Sequence, residues 1–324
     1  MKRILLIIPY FGNLDATGFF SLFLYSCSSN ETIDFLLLTD DKTPYEYPSN
    51  VRVVLTTLLA LKERFQSHFD FPISLECPYK LCDHKLTYGE LFSAEIAGYD
   101  AWGYCDIDMV FGDIRAFVTD ERLAQFGRVY TRGHLGIFCT DVPPDFYRVQ
   151  LDDRPGFQEV LTNETSFSFD EWINRDPRWD ALRLIGWSVD LTIDNLDVEP
   201  PTWRVPGEFR GALSTLDPQM NQRETRISKT ILYSEKGKLY RIGLLDGMTV
   251  LREEIIYAHF QKRRMVRKKD VCKTPYLVAP NYFSPANKCP DTKAELLRLN
   301  NDGTRFLYRI DAMRRNFKER WRRI

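Results

Sequence analysis

Residues 3–12 read RILLIIPYFG and residues 33–41 read IDFLLLTDD, and these two stretches decide the fold. Each contains an apolar run of strand length that stops at a proline or at acidic residues. Between them, apolar side chains recur at helical spacing from Phe19 to Cys27, and a third apolar run follows at 51–55. Strand, helix and strand in this order predict the opening of a parallel α/β sheet.

The loops that follow the first two strands are candidate ligand contacts. In open α/β sheets, ligands bind outside the carboxyl ends of the strands. We therefore predict nucleotide contacts from Pro9, Tyr10 and Phe11, after the first strand, and from Asp40 and Asp41, after the second. For the two aspartates a second role is equally open, because aspartates also cap turns of their own backbone.

Two aspartates one residue apart give the sharpest chemical signal. A strand predicted over 99–105 leads directly into Asp106-Ile107-Asp108. Side chains at i and i+2 share one face of an extended chain, so both carboxylates can bind one cation. Mg²⁺ and Mn²⁺ prefer oxygen ligands and commonly combine a few carboxylates with substrate phosphates. The alternative is a solvated turn at the end of a strand.

The sequence around these aspartates resembles a known enzyme superfamily. Residues 99–114, YDAWGYCDIDMVFGDI, are similar to the motif region of GT-A glycosyltransferases, above all to an uncharacterised bacterial group assigned to that superfamily. The resemblance implies an α/β fold of GT-A type, in which a Rossmann-like, mixed and mostly parallel sheet is flanked by helices. It also implies a Mn²⁺ or Mg²⁺ ion, held by Asp106 and Asp108, and a nucleotide-sugar donor with uridine as the expected base.

A histidine and a lysine near residue 260 extend the resemblance. In glycogenin-like and lipopolysaccharide galactosyltransferase-like enzymes, a late histidine and lysine supply the third metal ligand and a diphosphate contact. Residues 257–262, YAHFQK, are similar with a shorter spacing, which implies His259 as the metal ligand and Lys262 as the phosphate contact. An imidazole can complete a Mn²⁺ shell, and an ammonium can neutralise phosphate. The alternatives are a core histidine at 259 and phosphate contacts from Arg263 and Arg264.

A lysine and an aspartate precede the strand of the two aspartates. In related enzymes a basic residue and an aspartate on this helix contact the nucleotide, which implies that role for Lys80 and Asp83. The two residues are three positions apart and share a helix face. An ordinary surface ion pair, which contributes little to stability, is the alternative.

The acceptor side of the site is less sharply marked. Transfer with inversion needs a general base on the acceptor hydroxyl, and Asp170, Glu171 and Asp190 are the candidate carboxylates. A helix N-cap is an equally good interpretation of Asp170. His134, between two glycines, is predicted to line the sugar pocket, with a buried structural histidine as the alternative.

The end of the chain is strongly basic although the whole chain is not. The 324 residues carry a net charge of −1, but residues 257–324 contain 18 Lys or Arg against 6 Asp or Glu. That segment is therefore +12 and the remainder −13. Its last helix is predicted to be amphipathic, with an apolar stripe of Phe306, Ile310, Met313, Phe317 and Trp321. The stripe either packs on the catalytic domain or contacts an anionic membrane surface.

Composition and missing motifs exclude several classes of protein. The seven scattered cysteines indicate reduced thiols rather than a disulfide scaffold or a zinc site. Phosphate-binding loops, dinucleotide fingerprints and nucleophile elbows are absent from the sequence, and no apolar run is long enough to span a membrane. We expect a cytoplasmic protein, with a peripheral position at the inner face of the plasma membrane as the alternative.

These observations predict a metal-dependent glycosyltransferase with a catalytic domain over 1–290 and a basic helical tail over 291–324. Residues 1–140 would bind the nucleotide, and 141–260 would face a glycan or lipid-linked acceptor in surface polysaccharide synthesis. One alternative is a nucleotidyltransferase or phosphohydrolase, which needs further acidic ligands and has only Asp113 nearby. The other is a non-catalytic protein that binds a nucleotide or polyanion. Nucleic acid is not an expected partner, because no recognised binding motif is present and the pI is about 6.5.

Overall fold

A computed structural model describes residues 1–148, 154–172, 195–197, 226–260, 265–267, 271, 275–279 and 282–300. Among the predicted features, Asp190, Lys262 and the apolar stripe of the last helix lie outside these residues. No helix in the described ranges combines the length and the apolar character that a membrane crossing requires. Six of the seven cysteines are described, and all six are free thiols.

The chain divides into two compact units. The first consists of Met1–Asp15, Phe23–Met109 and the described part of Ile114–Leu191. The second consists of Ala16–Leu22, Val110–Asp113 and the described part of Thr192–Ile324. The predicted boundaries near residues 140, 260 and 290 stay predictions.

The first unit contains a six-stranded sheet with the order β3-β2-β1-β4-β7-β6. Its strands are β1 (Ile4–Pro9), β2 (Ile33–Thr39), β3 (Val51–Leu55), β4 (Ala101–Cys105), β6 (Arg128–Arg132) and β7 (Leu135–Cys139). The β1–β2, β2–β3 and β1–β4 pairs are parallel, whereas β7 is antiparallel to both β4 and β6. This confirms the predicted mixed, mostly parallel sheet.

The central strand is β1, because its sequence is apolar on both faces. Ile4 to Ile8 are at most 2% exposed, as a strand covered on both sides requires. On β4, Gly103 has no room for a side chain: an added Cβ would overlap the carbonyl oxygen of Gly136 on β7. The apolar pattern therefore fixes the sheet, and a glycine allows two of its strands to approach closely.

Short helices flank this sheet and connect its strands. They are α1 (Phe20–Ser28), α2 (Leu58–Gln66), α3 (Leu81–His84), α4 (Tyr88–Leu91), α5 (Ser93–Ile96), α6 (Ile114–Phe117), α7 (Asp120–Gln125), α8 (Phe157–Thr162) and α9 (Phe169–Trp172). Single 3₁₀ turns at Pro78–Lys80 and Lys85–Thr87 come before and after α3. The helical stretch predicted over 78–98 is thus a chain of short turns.

The second unit contains two further sheets, one of six strands and one of three. One has the order β11-β10-β9-β14-β15-β13 and the other β5-β12-β8. The strands are β5 (Met109–Phe111), β8 (Asn195–Asp197), β9 (Ile227–Glu235), β10 (Lys238–Leu245), β11 (Thr249–Ile255), β12 (Tyr257–His259), β13 (Val266–Arg267), β14 (Tyr276–Ala279) and β15 (Tyr282–Pro285). A helix, α10 (Lys293–Asn300), follows them and agrees with the helix predicted beyond residue 290.

The sequence over 233–241 and 248–251 predicts the strands of a hairpin, and the structure differs in their bounds. β9 ends at Glu235, β10 begins at Lys238, and β11 spans Thr249–Ile255. Lys236 and Gly237 both have positive φ angles, 50° and 75°. Two consecutive residues with positive φ angles form the tight turn of a hairpin. Lysine is not typical of the first position of such a turn, so the sequence does not indicate the turn.

Candidate functional site

The two aspartates lie directly after β4, at the carboxyl end of the parallel part of the sheet. The main-chain N–H of Asp106 donates to the carbonyl oxygen of His134 at 3.0 Å, which continues the pairing of β4 with β7. The side chain of Asp106 is 34% exposed, and Asp108 is 8% exposed. The strand thus ends with one accessible carboxylate and one nearly buried carboxylate.

Asp106, Asp108 and His259 can each offer one ligand atom, and these atoms all lie within 4.8 Å of one another. Asp108 immediately precedes β5, and His259 is the last residue of β12, the neighbour of β5 in the three-stranded sheet. Two ligands of one Mg²⁺ ion are at most roughly 4.2 Å apart, twice the usual metal–oxygen distance. The three residues are therefore a candidate group for one divalent cation.

A lysine that the sequence analysis missed joins this site. The ammonium of Lys85 donates to Oδ1 of Asp106 at 2.8 Å and to the carbonyl oxygen of Gly133 at 2.6 Å. It also lies 3.8 Å from Oδ2 of Asp170. The side chain of Lys85 is 12% exposed and that of Asp170 is 3% exposed. Lys85 thus lies between Asp106, a predicted metal ligand, and Asp170, one of the predicted general bases.

The electrostatics of this lysine follow from the two acids. Burial alone would lower the pKa of Lys85, but the charges of Asp106 and Asp170 outweigh burial and raise that pKa well above its usual value. Lys85 is therefore a permanent cation at neutral pH. It offsets part of the negative charge of Asp106 and Asp170.

The loops after β1 and β2 are tied to each other. The N–H of Gly12 donates to Oδ1 of Asp40 at 2.7 Å, and the N–H of Leu14 donates to Oδ2 of Asp41 at 2.9 Å. Asp41 also accepts hydrogen bonds from the N–H and hydroxyl of Thr43, at 2.9 and 2.6 Å. Turn capping, the alternative for these aspartates, is therefore present at Asp41. The nucleotide contact predicted for both stays a prediction.

Tyr10 links this loop pair to the end of β4. It follows Pro9 and precedes the buried Phe11, and its own side chain is half-buried. Burial, then the charge of Asp108 and then that of Asp41 raise the pKa of its hydroxyl. The charges of Asp108 and Asp41 therefore both act on the Tyr10 hydroxyl. The nucleotide contact predicted for Tyr10 stays a prediction.

Lys80 and Asp83 are more deeply buried than either interpretation of the sequence expects. Their side chains are 1% and 0% exposed and lie 2.8 Å apart, so the alternative of a surface ion pair is wrong. All three N–H donors of Lys80 are used, because the ammonium also donates to the carbonyl oxygens of Val160 and Thr165. Direct contact with a nucleotide would require one of these bonds to break.

The structure describes some of the remaining predicted residues but not others. His134 is buried, and its carbonyl oxygen accepts the hydrogen bond from the N–H of Asp106. Asp170 lies beside Lys85, in the second position of α9. Glu171 is the next residue of that helix. Asp190 and Lys262 lie outside the described residues, so their roles stay predictions.

Arg128 is a second residue that the sequence analysis missed. It is fully buried on β6, where Nε donates to the carbonyl oxygen of Tyr130 at 2.9 Å. One terminal nitrogen donates to the hydroxyl of Tyr104 at 3.0 Å and lies 3.5 Å from the carbonyl oxygen of Asp170. A buried arginine thus contacts the main chain of α9 at Asp170. An isolated arginine in a strand gives no sequence signal for that position.

Comparisons with known proteins give a family and two solved structures. No curated protein matches the chain. The galactosyltransferase LgtC, crystallised with donor and acceptor sugar analogs, is similar at 13% identity and a TM-score of 0.34, over 69% of this chain and 83% of that chain. An active-site mutant of LgtC is similar at 11% identity and a TM-score of 0.37, over 80% and 87%. The family model that matches residues 6–287 covers most of the sequence, and the chain therefore belongs to DUF6625, a family of unknown function.

Proposed function

We propose that this protein is a metal-dependent glycosyltransferase that uses a nucleotide-sugar donor. The observation that carries the proposal is the group formed by Asp106, Asp108 and His259, whose ligand atoms lie within 4.8 Å of one another. Two carboxylates and one imidazole suit Mn²⁺ or Mg²⁺, which keep further positions for phosphate oxygens. When bound, such an ion stabilises the negative charge that develops on a departing diphosphate.

The loops after β1 and β2 would bind the nucleoside part of the donor. They lie at the carboxyl ends of adjacent parallel strands, the usual ligand position in an open α/β sheet. Tyr10 offers a half-buried ring beside Asp41. Because aromatic rings stack on bases and carboxylates accept hydrogen bonds from ribose hydroxyls, this pair suits a nucleoside, and uridine is the base that we propose.

Lys85 and Asp170 would bind the transferred sugar. In the described part of the chain, two of the three N–H donors of Lys85 are bonded, to Asp106 and Gly133, which leaves one donor for a ligand oxygen. The carboxylate of Asp170 lies 3.8 Å from the same ammonium and can accept a hydrogen bond from a hydroxyl. A cation and an acid beside a metal site can orient a sugar and stabilise charge during transfer.

A thermal-shift panel tests the proposal. UDP-, GDP-, CMP- and dTDP-sugars are added with and without Mn²⁺, because a ligand that binds only the folded state raises the melting temperature. We expect a Mn²⁺-dependent rise with one nucleotide class, and UDP-sugars are the expected class. Folded protein whose melting temperature responds to none of the pairs would contradict the proposal.

Matched variants locate the binding site. Asp106→Asn and Asp108→Asn should each abolish the Mn²⁺-dependent shift, because each removes one charged ligand. Asp113→Asn is the control, since Asp113 lies on the same stretch but outside the ligand group. A shift that persists in both site variants, or disappears in the control, would move the nucleotide site elsewhere.

Release of the nucleoside diphosphate distinguishes transfer from other chemistry. With the donor found in the panel, we expect free nucleoside diphosphate to appear with Mn²⁺ and to appear faster when a saccharide acceptor is added. Release of pyrophosphate or inorganic phosphate instead would indicate a nucleotidyltransferase or a phosphohydrolase. The acceptor, a glycan or a lipid-linked saccharide, remains a prediction from the sequence.

A further inference from the structure

Lys80 and Asp83 are charged, fully buried and remote from solvent, and the proposed chemistry does not use them. Their contacts converge on one short segment, residues 165–170, which leads into α9. The ammonium of Lys80 donates to the carbonyl oxygen of Thr165 at 2.8 Å. Cys82, between the two residues, has its Sγ 2.9 Å from the hydroxyl oxygen of Ser166. The side chains of Lys80 and Cys82 therefore hold the first half of this segment.

Asp83 holds the second half of the segment. Its carboxylate accepts the N–H of Phe167 at 3.0 Å and the N–H of Phe169 at 3.0 Å. The residue between them, Ser168, has a φ angle of 55°, a left-handed conformation that non-glycine residues seldom adopt. Hydrogen bonds to an ionised acceptor are stronger than neutral ones, so the two bonds to Asp83 can stabilise this unfavourable turn.

The last of the hydrogen bonds to Asp83 comes from Phe169, one residue before Asp170. Phe169 is the first residue of α9 and Asp170 is the second, so the turn fixed by Asp83 sets where the helix starts. Asp170 reaches Lys85 from this helix, at 3.8 Å. A slip of the turn at Ser168 would rotate α9 and carry the Asp170 carboxylate away from the ammonium.

We propose that Asp83, with Lys80 as its counter-ion, is a positioning residue that holds Asp170 at the sugar side of the site. This inference rests on the proposed function for the meaning of the site, but the positioning itself is a property of the fold. It reassigns the pair from direct nucleotide contact to support of the segment that carries a site residue. The nucleoside and metal parts of the site should then be independent of Asp83.

The test uses the double variant Lys80→Met/Asp83→Asn. Methionine replaces the apolar stem of the lysine, asparagine keeps one acceptor oxygen, and no unpaired buried charge remains, so the protein should fold. Lys288→Met/Asp291→Asn is the matched control, because Lys288 and Asp291 are also three residues apart but 63% and 67% exposed. A cooperative melting transition of both proteins is checked first.

Hydrogen exchange measures how firmly residues 165–170 are held. In the Lys80→Met/Asp83→Asn variant, the amides of residues 165–170 should exchange about tenfold faster or more than in the wild type, because charged hydrogen bonds to the backbone are lost. The control variant should exchange like the wild type. Equal exchange of this segment in the wild type and the Lys80→Met/Asp83→Asn variant would overturn the inference.

Ligand discrimination separates positioning from general stability. With Mn²⁺, we compare the Kd for UDP with the Kd for UDP-glucose and UDP-galactose. The variant should bind UDP within about twofold of the wild type but lose about tenfold in affinity for the better of the two UDP-sugars, the loss of one good hydrogen bond. Asp170→Asn should show the same loss, and the combined triple variant should lose no more.

The outcomes distinguish the two proposals. Faster exchange with unchanged discrimination would show that Asp83 stabilises the segment without positioning Asp170, which overturns the inference. Equal weakening of UDP and UDP-sugars would do the same, because it indicates a general structural loss. Absence of any nucleotide binding by the wild type would refute the proposed function, and the exchange of residues 165–170 would then decide alone whether Asp83 holds Asp170 in place.

Discussion

Two lysine–aspartate pairs have their lysines in the same short helical stretch. Their charged atoms are equally far apart, but the pairs differ in burial and in hydrogen-bond partners. Lys80 and Asp83 are 2.8 Å apart, and so are Lys85 and Asp106. The first pair is at most 1% exposed, and the ammonium has three partners. In the second, the acid is 34% exposed and the ammonium has two hydrogen-bond partners in the described residues.

This difference teaches that the length of an ion pair says little about its role. A buried pair with every hydrogen bond made holds the structure and cannot exchange partners without a large cost. A partly exposed pair that retains a donor can accept a ligand. By this criterion Lys80 and Asp83 belong to the scaffold, and Lys85 and Asp106 belong to the site.

The largest expected effect is on the buried pair. Lys80→Met leaves the Asp83 carboxylate without its counter-ion, and breaking a buried ion pair in this way destabilises proteins by about 3–5 kcal/mol. We expect a loss of that size in the free energy of unfolding, measured by urea denaturation. Lys288→Met, in an exposed pair of the same spacing, should cost less than about 1 kcal/mol.

The companion variant sharpens this result. Lys80→Met/Asp83→Asn removes both charges and should recover much of the stability lost by Lys80→Met alone, because no unpaired charge remains. If the single variant costs no more than Lys288→Met, the pair is solvated in the protein. The expected difference in stability cost between a buried and an exposed pair would then be contradicted.

The second effect concerns His84, which lies between the two pairs in sequence. It is fully buried; its Nε2 donates to the carbonyl oxygen of Ser74 at 3.1 Å, and Nδ1 has no partner in the described residues. Burial lowers the pKa of this imidazole to about 4 from the ordinary 6.5. The unfolded chain therefore binds the proton more tightly, and this contribution to stability is lost as the pH falls from about 6.5 to about 4.

A pH series measures this contribution. Between pH 6.5 and 4 the wild type should lose about 3 kcal/mol more unfolding free energy than His84→Gln, since each pKa unit corresponds to about 1.4 kcal/mol. The variant is the control for all carboxylates that titrate over the same range. Parallel stability curves for the two proteins would show that the imidazole titrates normally.

The smallest expected effect is on the partly exposed pair of Lys85 and Asp106. The ammonium of Lys85 lies 2.8 Å from a carboxylate that the proposed cation needs. Lys85→Met removes this positive charge, so Mn²⁺ alone should bind about five- to tenfold more tightly, which corresponds to roughly 1 kcal/mol of relieved repulsion at a partly exposed site. Calorimetric titration with Mn²⁺ measures the change.

Asp106→Asn serves as the negative control of that titration and should abolish Mn²⁺ binding. Unchanged or weaker Mn²⁺ affinity in Lys85→Met would show that the ammonium does not oppose the cation. In that case the lysine would belong with the scaffold pair rather than with the site.

Much of the first unit could be predicted because its strands are marked by apolar runs. The runs at 3–9, 33–38 and 51–55 correspond to β1, β2 and β3 within one residue at each end. Strands buried on both faces in a parallel sheet have this continuous pattern. The position of Asp106 and Asp108 could also be predicted, because the strand predicted over 99–105 ends at the same residue as β4. Their role as metal ligands stays a prediction.

Lys85 and Arg128 could not be predicted, since their partners are distant in sequence. Lys85 is 21 residues from Asp106 and 85 from Asp170, and no local spacing connects them. The same argument explains Lys80 and Asp83. Their i,i+3 spacing predicts a pair correctly, but the burial comes from residues 160–169, whose position only the fold determines.

The bonds from Asp83 to residues 84 and 86 positions further along the chain also constrain when the protein can fold. At about 5–20 residues per second, a ribosome needs roughly 4 to 17 seconds to synthesise that stretch after Asp83 itself. During this interval Lys80 and Asp83 can pair with each other, but the backbone groups that complete their hydrogen bonds in the folded protein have not yet been synthesised. The segment that carries Asp170 is therefore expected to dock late, after the sheet has formed, because long-range contacts wait for loop closure.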